Sequence, residues 1–352
     1  MSERLNHAEP SDHEASLPMD LVGPWLVDRT GDEQWGSGHA ELISGGKSNL
    51  TFCVTSEVGS VVLRRPPEGN HPAGAHDVER EARVQQQLAH SSVPVPLVVG
   101  VDDGRLLGTP FYVMQAVEGH CVRGELPVDY ASSLEQRRSL SFAFIDSFAN
   151  LHEVDPVAVG LSDLGRPDGF VERQVERWTR QWQTARCAEV SAVDQLGERL
   201  IGSIPAQSAA TIVHGDCKLD NVLLHLADPS RVEAILDWEM STLGDPMTDL
   251  AWLLMFWREP GEPQLTIAPT VTQLDGFPSR QDMIERYATT RDVNEDHLAF
   301  LEGLAHLKFA VILQGIANRS RTGAMAGQDY DNADAEVELV ASEGLDRMNA
   351  AR

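Results

Sequence analysis

Short apolar runs separated by polar turns fill the first third of the chain and return around position 215. Runs of this length, bounded by turn residues, are typical of buried β-strands. Between these two regions the apolar residues recur at helical spacing, as in Phe144, Ile145, Phe148 and Leu151. This spacing predicts a helix with one buried face. The pattern therefore predicts a strand-rich region followed by a mainly helical one.

The length of the chain supports the same division. A chain of 352 residues is too long for one small core, so we expect two lobes. We place the first lobe at residues 18–117 and the second at residues 118–352. Residues 1–17 combine Ser, Glu, Asp, His and Pro without periodicity, which predicts a disordered tail.

The charge of the chain narrows the classes of partner. The formal net charge is −26, which argues against binding to nucleic acid. An acidic surface can attract cationic substrates, but the charge is spread along the chain and is better explained by solubility. No N-terminal apolar segment is long enough for a signal peptide, and the sequence shows no apolar run of 18 residues that would predict a membrane span. We therefore expect a cytoplasmic protein without a membrane partner, and the sequence leaves its oligomeric state open.

Three short apolar runs in the second half of the chain lead into polar loops. The runs lie at residues 211–213, 222–224 and 234–236, and the polar side chains between or after them include Asp216, Asn221 and Asp237. Phosphoryl transfer uses this set of groups, because one carboxylate orients the attacking hydroxyl while an amide and a second carboxylate hold Mg²⁺. The spacing from Asp216 to Asn221 matches the catalytic loop of kinases. The alternative is a strand-end turn in which Asp216 only caps the backbone.

The string His214-Gly215-Asp216, followed by Asn221 and Asp237, resembles the aminoglycoside phosphotransferase and choline-kinase-like superfamily. The resemblance implies a bilobal, protein-kinase-like α+β fold. Its first lobe would hold a five-stranded antiparallel sheet with one helix, and its second lobe would be mainly helical. ATP and Mg²⁺ would be the cofactors, with ATP in the cleft and a small-molecule hydroxyl as acceptor. Asp216 would orient that hydroxyl, while Asn221 and Asp237 would hold the metal.

A glycine turn near position 45 is the candidate phosphate loop. The string Gly46-Lys47-Ser48 suggests a Walker A loop, but Glu41 stands where that motif needs a glycine. The β-branched and aromatic residues that follow also predict a strand, whereas the Walker motif continues into a helix. A hairpin that folds over the nucleotide phosphates fits better, with backbone N–H groups and the Ser48 hydroxyl pointing inward.

The next strand and helix carry a candidate ion pair. In kinase-like families a strand Lys holds the phosphates and pairs with a helix Glu. Here Arg64 stands at the strand position and Glu81 on the helix predicted from Asp77 to Ala89. Strand alternation places Arg65 on the opposite face, although a bulge near the following prolines would exchange the two arginines. The alternative is a surface Arg–Glu pair without a functional role.

A strand exit near position 115 resembles the hinge of this superfamily. The resemblance implies that backbone groups of Gln115 and Val117 bind the edge of the adenine, while Met114 shapes the back of the pocket. The alternative is an ordinary strand-to-loop exit, which the sequence alone does not exclude.

Several helical residues near these motifs are best explained by structure. Trp178 and Trp182 share one predicted helix face, where packing is favoured over contact with the acceptor. His152, near the end of a helix, is interpreted as a structural hydrogen-bonding residue. Asp249 resembles the helix carboxylate that braces the backbone of the catalytic loop. Cys217 is interpreted as a small filler inside that loop.

The acceptor stays open at the level of sequence. The resemblance covers roughly residues 35–320. The strand end at residues 63–67 and the string at residues 237–239 look most like the phosphotransferase domains related to those fused to acyl-CoA dehydrogenases. This implies a hydroxylated acyl-CoA as readily as an antibiotic. A nucleotide-binding pseudokinase that acts through partners is the alternative from another class, and it is motivated only by Arg64 in place of Lys.

Overall fold

The computed structural model describes residues 16–44, 49–67, 77–206, 210–321 and 333–350. These residues divide into two compact units. Unit 1 contains the described residues up to Glu118 together with Leu236–Glu239, and unit 2 contains the other described residues. The short segment Leu236–Glu239 therefore belongs to unit 1, although unit 2 supplies the chain on both sides of it.

Unit 1 is built on an antiparallel sheet. Its strands are β1 (His39–Ser44), β2 (Leu50–Ser56), β3 (Gly59–Arg65), β4 (Val98–Asp102) and β5 (Phe111–Gln115). The five strands are arranged in the order β1-β2-β3-β5-β4, and every neighbouring pair is antiparallel. The five-stranded antiparallel sheet predicted from the resemblance is thus confirmed.

Two α-helices accompany the sheet, one more than the resemblance implied. Helix α1 spans Met19–Thr30 and buries Val22 and Leu26 in a core shared with β2, β3 and β5. Leu17 is buried in the same core. The ordered chain therefore begins earlier than the predicted tail of residues 1–17 allows, because apolar packing fixes this position. Residues 1–15 lie outside the described part of the chain.

Helix α2 spans Val78–Leu88, close to its predicted bounds. Its start is fixed by Asp77, whose side chain accepts a hydrogen bond from Arg80 N at 3.0 Å, as in a helix N-cap. Val78 and Ala82 pack against Tyr112 in the sheet. The same helical face carries Glu81, so this packing brings the carboxylate towards β3 and β5.

Unit 2 is mainly helical, as predicted. Its helices are α3 (Leu134–His152), α4 (Phe170–Ala185), α5 (Ser191–Gly202), α6 (Met247–Phe256), α7 (Arg280–Ala288), α8 (Glu295–Arg321) and α9 (Ala333–Ala350). Two small antiparallel sheets pair β6 (Thr211–Val213) with β9 (Thr242–Gly244) and β7 (Val222–Leu224) with β8 (Val232–Ile235). The polar loops that follow these short strands carry the predicted catalytic groups.

Helix α8 is the central helix of unit 2, and α4, α5, α6 and α9 pack against it. By length and composition it could cross a membrane, with a mean hydropathy of 1.4 over its most apolar window, but 78% of that window is buried inside the protein. The apolar side chains are therefore used in core packing. His306 and Lys308 interrupt this apolar run and are discussed below.

Candidate active site

A tight turn after β6 directs the candidate catalytic loop. Gly215 has a φ of +84°, in the left-handed region that favours glycine. A Cβ atom at this position would lie 2.7 Å from the backbone oxygen of Met240. Only glycine fits both constraints, so the His214-Gly215-Asp216 string encodes a turn as well as a carboxylate.

Asp249 holds the backbone of this turn from helix α6. Its Oδ2 accepts a hydrogen bond from His214 N at 2.6 Å, and its Oδ1 accepts one from Gly215 N at 2.8 Å. His152 Nε2 lies 3.2 Å from Oδ2, and His152 Nδ1 lies 2.8 Å from the hydroxyl of Tyr287. Burial acts to raise the pKa of Asp249, but the hydrogen bond and charge of His152 outweigh it and lower the pKa. The predicted brace and the structural role of His152 are confirmed.

Both carboxylate oxygens of Asp216 are oriented by neighbouring donors. Oδ1 accepts a hydrogen bond from Trp252 Nε1 at 2.9 Å. Oδ2 accepts one from Asn221 Nδ2 at 2.9 Å and lies 3.1 Å from Lys218 Nζ. The structure thus brings Asp216 and Asn221 together within one loop, where Leu219–Asn221 form a short 3₁₀ turn. These contacts fix the position of the carboxylate within the protein.

Asp216 is held in its charged form. Burial acts to raise its pKa, but Lys218 and Lys308, with the hydrogen bond from Trp252, lower the pKa below its usual range. A perturbed carboxylate held by this number of partners is typical of a functional site. At neutral pH the group is therefore an anionic hydrogen-bond acceptor.

Asn221 and Asp237 have the donor atoms that Mg²⁺ prefers. Asn221 also donates from Nδ2 to the backbone oxygen of Asp216 at 2.8 Å, so its amide nitrogen faces the loop and its oxygen is the atom suited to a cation. Asp237 has a carboxylate in unit 1, whereas Asn221 belongs to unit 2. The described residues contain no cluster of three or more His, Cys, Asp or Glu side chains suited to a metal. Each of the two groups, taken by itself, has an oxygen atom of the type that Mg²⁺ accepts as a ligand.

Unit 1 contains the predicted strand–helix ion pair. Arg64 Nη1 lies 2.9 Å from Glu81 Oε1, and Arg64 Nη2 lies 3.5 Å from Asp237 Oδ1. Asp237 has a φ of +65°, an uncommon conformation for a residue other than glycine. Strained backbone of this kind persists where the surroundings fix it and is common at functional sites.

The two members of the ion pair respond differently to burial. Burial raises the pKa of Glu81 to about 7, and the attraction of Arg64 offsets this only in part. For Arg64, burial acts to lower the pKa, but Glu81 and further anionic groups raise it above its usual value. Arg64 therefore stays charged, while Glu81 lies close to its midpoint at neutral pH.

Arg65 lies on the other face of β3. Its side chain is 4% exposed, and its guanidinium group stacks 5.5 Å from the centre of the Phe52 ring. The pairing of β2 with β3 is regular from Gly59 to Arg65, without a bulge. The alternative in which the two arginines exchange places is therefore wrong, because strand alternation is uninterrupted.

The remaining predicted contacts of the nucleotide have mixed outcomes. Met114 is buried at 7% exposure at the end of β5. Gln115 N already donates a hydrogen bond to Leu97 O at 2.8 Å. This N–H is therefore not a donor for adenine, and the predicted contact would have to use another group of Gln115. The role of Val117 stays a prediction. Ser48 lies outside the described residues.

Three residues of the site escaped sequence analysis as members of it, and the first is Lys218, which lies beside Asp216 in the loop itself. Trp252 on α6 orients Asp216, and Lys308 on α8 donates from Nζ to Gly215 O at 2.9 Å. Lys308 Nζ also lies 3.6 Å from the centre of the Trp252 ring. The sequence does contain a signal for Lys308, which is a single lysine within an otherwise apolar helix. A buried charge needs a partner, so this lysine indicates a nearby polar group. Trp252 gave no signal, because it stands in a continuous apolar run.

Fold and site together define a kinase-like protein. Residues 39–279 match the "Phosphotransferase enzyme family", and the chain belongs to this family. "Acyl-CoA dehydrogenase family member 11" of Pongo abelii is 34% identical over 289 residues, which is 81% of this chain and 37% of that protein. The chain thus spans well under half the length of this curated relative.

Solved structures show the same fold. A putative aminoglycoside phosphotransferase from Ralstonia eutropha has a TM-score of 0.80 and 29% identity, covering 95% of this chain and 98% of its own. A thermostable aminoglycoside phosphotransferase, in a ternary complex with ADP and hygromycin B, has a TM-score of 0.61 and 14% identity, covering 93% and 98%. The second likeness concerns the fold alone.

Proposed function

We propose that this chain is a kinase that uses ATP and Mg²⁺ to phosphorylate a hydroxyl group of a small molecule. The observation that carries the proposal is the state of Asp216. Its carboxylate is ionised, and Trp252, Asn221 and Lys218 orient its two oxygens. An anionic acceptor in this form is what the hydroxyl nucleophile of a phosphoryl transfer needs.

The other groups take complementary roles in the proposal. Asn221 and Asp237 would hold Mg²⁺, which would supply positive charge to the phosphate oxygens. Arg64 steadies the phosphates in place of the usual lysine, and Glu81 fixes the direction of its guanidinium. Catalysis of this kind depends mainly on position and charge, so side chains held by several partners support it. The neighbour that binds ADP supports ATP as the donor.

The charges around Asp216 favour an acceptor that carries negative charge. Lys218 contacts the carboxylate, and Lys308 and Arg177 lie near enough to affect one another electrostatically. A cationic ligand usually binds to an aromatic face, but Lys308 already covers the ring of Trp252. A hydroxyacyl-CoA fits these charges better than a polycationic aminoglycoside. The name of the relative, an acyl-CoA dehydrogenase family member, supports the same choice.

A transfer assay tests the acceptor class. ADP release is measured with hydroxyacyl-CoA thioesters, hygromycin B and choline at equal concentration, and a phosphorylated product is identified by mass. We expect transfer to the thioesters and little to the two cationic acceptors. Preference for hygromycin B or choline would contradict the charge argument. Stabilisation by ATP and Mg²⁺ without transfer to any acceptor would support the pseudokinase alternative.

A metal titration tests the role of Asp237. Asp237→Ala removes an oxygen ligand, so Mg²⁺ should no longer strengthen ATP binding as it does in the wild type. The measurement is ATP affinity by calorimetry with and without Mg²⁺. Asp103→Ala is the matched control, because Asp103 is a carboxylate of unit 1 that pairs with Arg105 in the turn between β4 and β5. Full magnesium dependence in Asp237→Ala would exclude this residue as a ligand.

A further inference from the structure

Lysine is rare in this chain. The sequence contains three lysines among 28 lysine and arginine residues, and the other 25 are arginine. Lys218 and Lys308 both contact the candidate catalytic loop, and Lys47 lies outside the described residues. Arginine keeps its charge at every accessible pH, whereas a lysine that is partly buried can lose it. A lysine on an apolar core helix therefore needs an explanation that charge alone does not give.

Lys308 contacts two groups that position Asp216, the backbone of the preceding residue and the Trp252 ring. Its Nζ donates to the backbone oxygen of Gly215 at 2.9 Å, one residue before the carboxylate. The same ammonium lies 3.6 Å from the centre of the Trp252 ring, whose Nε1 donates to Asp216 Oδ1. Trp178 on α4 lies on a further side, with its ring centre 5.9 Å away. Lys308 thus connects α8 to the turn, to α6 and to α4.

The charged groups around Lys308 act in opposite directions. Burial lowers the pKa of Lys308 to about 8, and Arg177 on α4 and Lys218 in the loop act in the same direction. Asp216 in the loop and Asp249 on α6 favour the charged form. The ammonium is therefore mostly charged at pH 7 and loses its proton in mildly alkaline solution.

We propose that Lys308 is a positioning residue of the transfer reaction, whose ammonium group fixes the Gly215 carbonyl and the Trp252 ring and thereby the carboxylate of Asp216. This inference rests on the proposed function. When Lys308 loses its charge, the attraction to the indole ring and to Asp216 is lost, and the carboxylate is less firmly held. Lys308 itself does not touch the reacting atoms.

Stability does not explain the lysine. A buried ammonium with a lowered pKa opposes folding, because the unfolded chain binds its proton more tightly. Lys308→Met fills similar space without this penalty, so its melting temperature should be no lower than that of the wild type. If Lys308 served structure alone, Lys308→Met would have a lower melting temperature than the wild type.

Kinetics with the wild type and three variants test the role. Lys308→Met should lower kcat at pH 7 by about tenfold or more, with the KM for ATP unchanged, because misplacement of a catalytic group has effects of this size. In the wild type, kcat should fall above pH 8. In Lys308→Arg, which keeps its charge, kcat should be partly restored and that fall should be absent. Arg321→Met, which removes a cation from the end of the same helix, should behave as the wild type.

Nuclear magnetic resonance tests the same coupling without turnover. Lysine labelled with ¹³C at Cε gives at most three signals in this chain. The signal missing from Lys308→Arg should titrate near pH 8 in the wild type. The indole N–H signal of Trp252, identified through Trp252→Phe, should shift with the same midpoint and should not shift in Lys308→Arg.

The outcomes separate this inference from the proposed function. A wild type that transfers phosphate while Lys308→Met keeps full kcat would overturn the positioning role and leave the function intact. Loss of kcat together with a lower melting temperature, or an equal alkaline fall in Lys308→Arg, would also overturn it. A wild type without any transfer would contradict the proposed function. The Trp252 titration would then decide the positioning contact alone, and an unshifted indole signal would refute it.

Discussion

Glu81 in unit 1 and Asp216 in unit 2 are both enclosed carboxylates, but the protein treats them in opposite ways. The side chain of Glu81 is fully buried, and burial raises its pKa to about 7 although Arg64 and the hydroxyl of Tyr112 act to lower it. Asp216 has two lysines and an indole N–H nearby, and these outweigh burial and lower its pKa. The charges of the neighbours differ as well, because Asp237 and Glu239 raise the pKa of Glu81 while Lys218 and Lys308 lower that of Asp216.

The opposite pKa shifts of Glu81 and Asp216 indicate different roles for the two carboxylates in the candidate site. A general base works best when its pKa lies near the operating pH, and the pKa of Asp216 is shifted away from that value. Asp216 is therefore suited to orient a hydroxyl through a strong hydrogen bond more than to remove its proton early. Glu81 is suited to hold Arg64, and its own charge is conditional on pH.

The largest expected effect comes from neutralising Asp216. Asp216→Asn keeps an oxygen for the Trp252 N–H but loses the negative charge. We expect turnover to fall by about 10²-fold or more, because the charged acceptor of the hydroxyl proton is lost and a side chain positioned for proton transfer contributes ~10²–10⁴-fold. ATP affinity should change little. Steady-state kinetics and calorimetry with ATP measure the two quantities.

The chain offers a matched control for this substitution. Asp194 Oδ1 accepts a hydrogen bond from Trp182 Nε1 at 2.8 Å, which is the same carboxylate–indole contact in another part of unit 2. Asp194→Asn should keep wild-type turnover. A similar loss of turnover in both variants would show that the carboxylate–indole contact serves folding. Unchanged turnover in Asp216→Asn would exclude a catalytic role for Asp216.

The second prediction concerns the pH dependence of stability. The pKa of Glu81 is raised from 4.5 to about 7 on folding. A raised folded-state pKa gives stability that is fully present below pH 4.5 and is lost as the pH rises through 7. The upper limit is about 3 kcal/mol from the size of the shift. Glu81→Gln should remove this contribution, as measured by urea unfolding between pH 4.5 and 8.

The contribution of Asp216 to stability should have the opposite pH dependence. Its folded-state pKa is lowered, so its contribution is present above the usual pKa of an aspartate and is lost as the pH falls. The difference in the free energy of unfolding between wild type and Asp216→Asn should therefore shrink towards acid pH. The corresponding difference between wild type and Glu81→Gln should change between pH 4.5 and 7. Parallel curves for the two variants would contradict the comparison between the carboxylates.

The sequence predicted the parts of the site that local spacing encodes. Asp216 and Asn221 stand in one loop, so their contact follows from a short motif. Trp252 and Lys308 reach the same loop from 36 and 93 residues away, and only helix packing decides that they meet there. The helical form of α1 does not follow from the local pattern, because this segment contains Pro24 and has little helical periodicity. Tertiary burial of its apolar residues outweighs that weak local preference.

The third prediction tests whether Arg64 and Glu81 act as one unit. Arg64→Ala and Glu81→Ala should each raise the KM for ATP, and the double variant should lose much less than the sum of the two, with an interaction energy of about 0.5–3 kcal/mol. Arg64→Lys should restore only part of the activity, because a point charge replaces a planar fork. Additive losses would show that the ion pair has no shared role.

The smallest expected effect is at Arg65, and it separates the two faces of β3. Arg65→Ala removes a buried guanidinium that stacks on Phe52, so the free energy of unfolding should fall by about 1–2 kcal/mol. The KM for ATP should stay at the wild-type value, since the side chain points away from Glu81. Arg29→Ala is the control, because Arg29 stacks on Trp25 at an exposed position and should lose less. A larger change in KM for Arg65→Ala than for Arg64→Ala would contradict the assignment of Arg64 to the nucleotide, whatever the two variants do to stability.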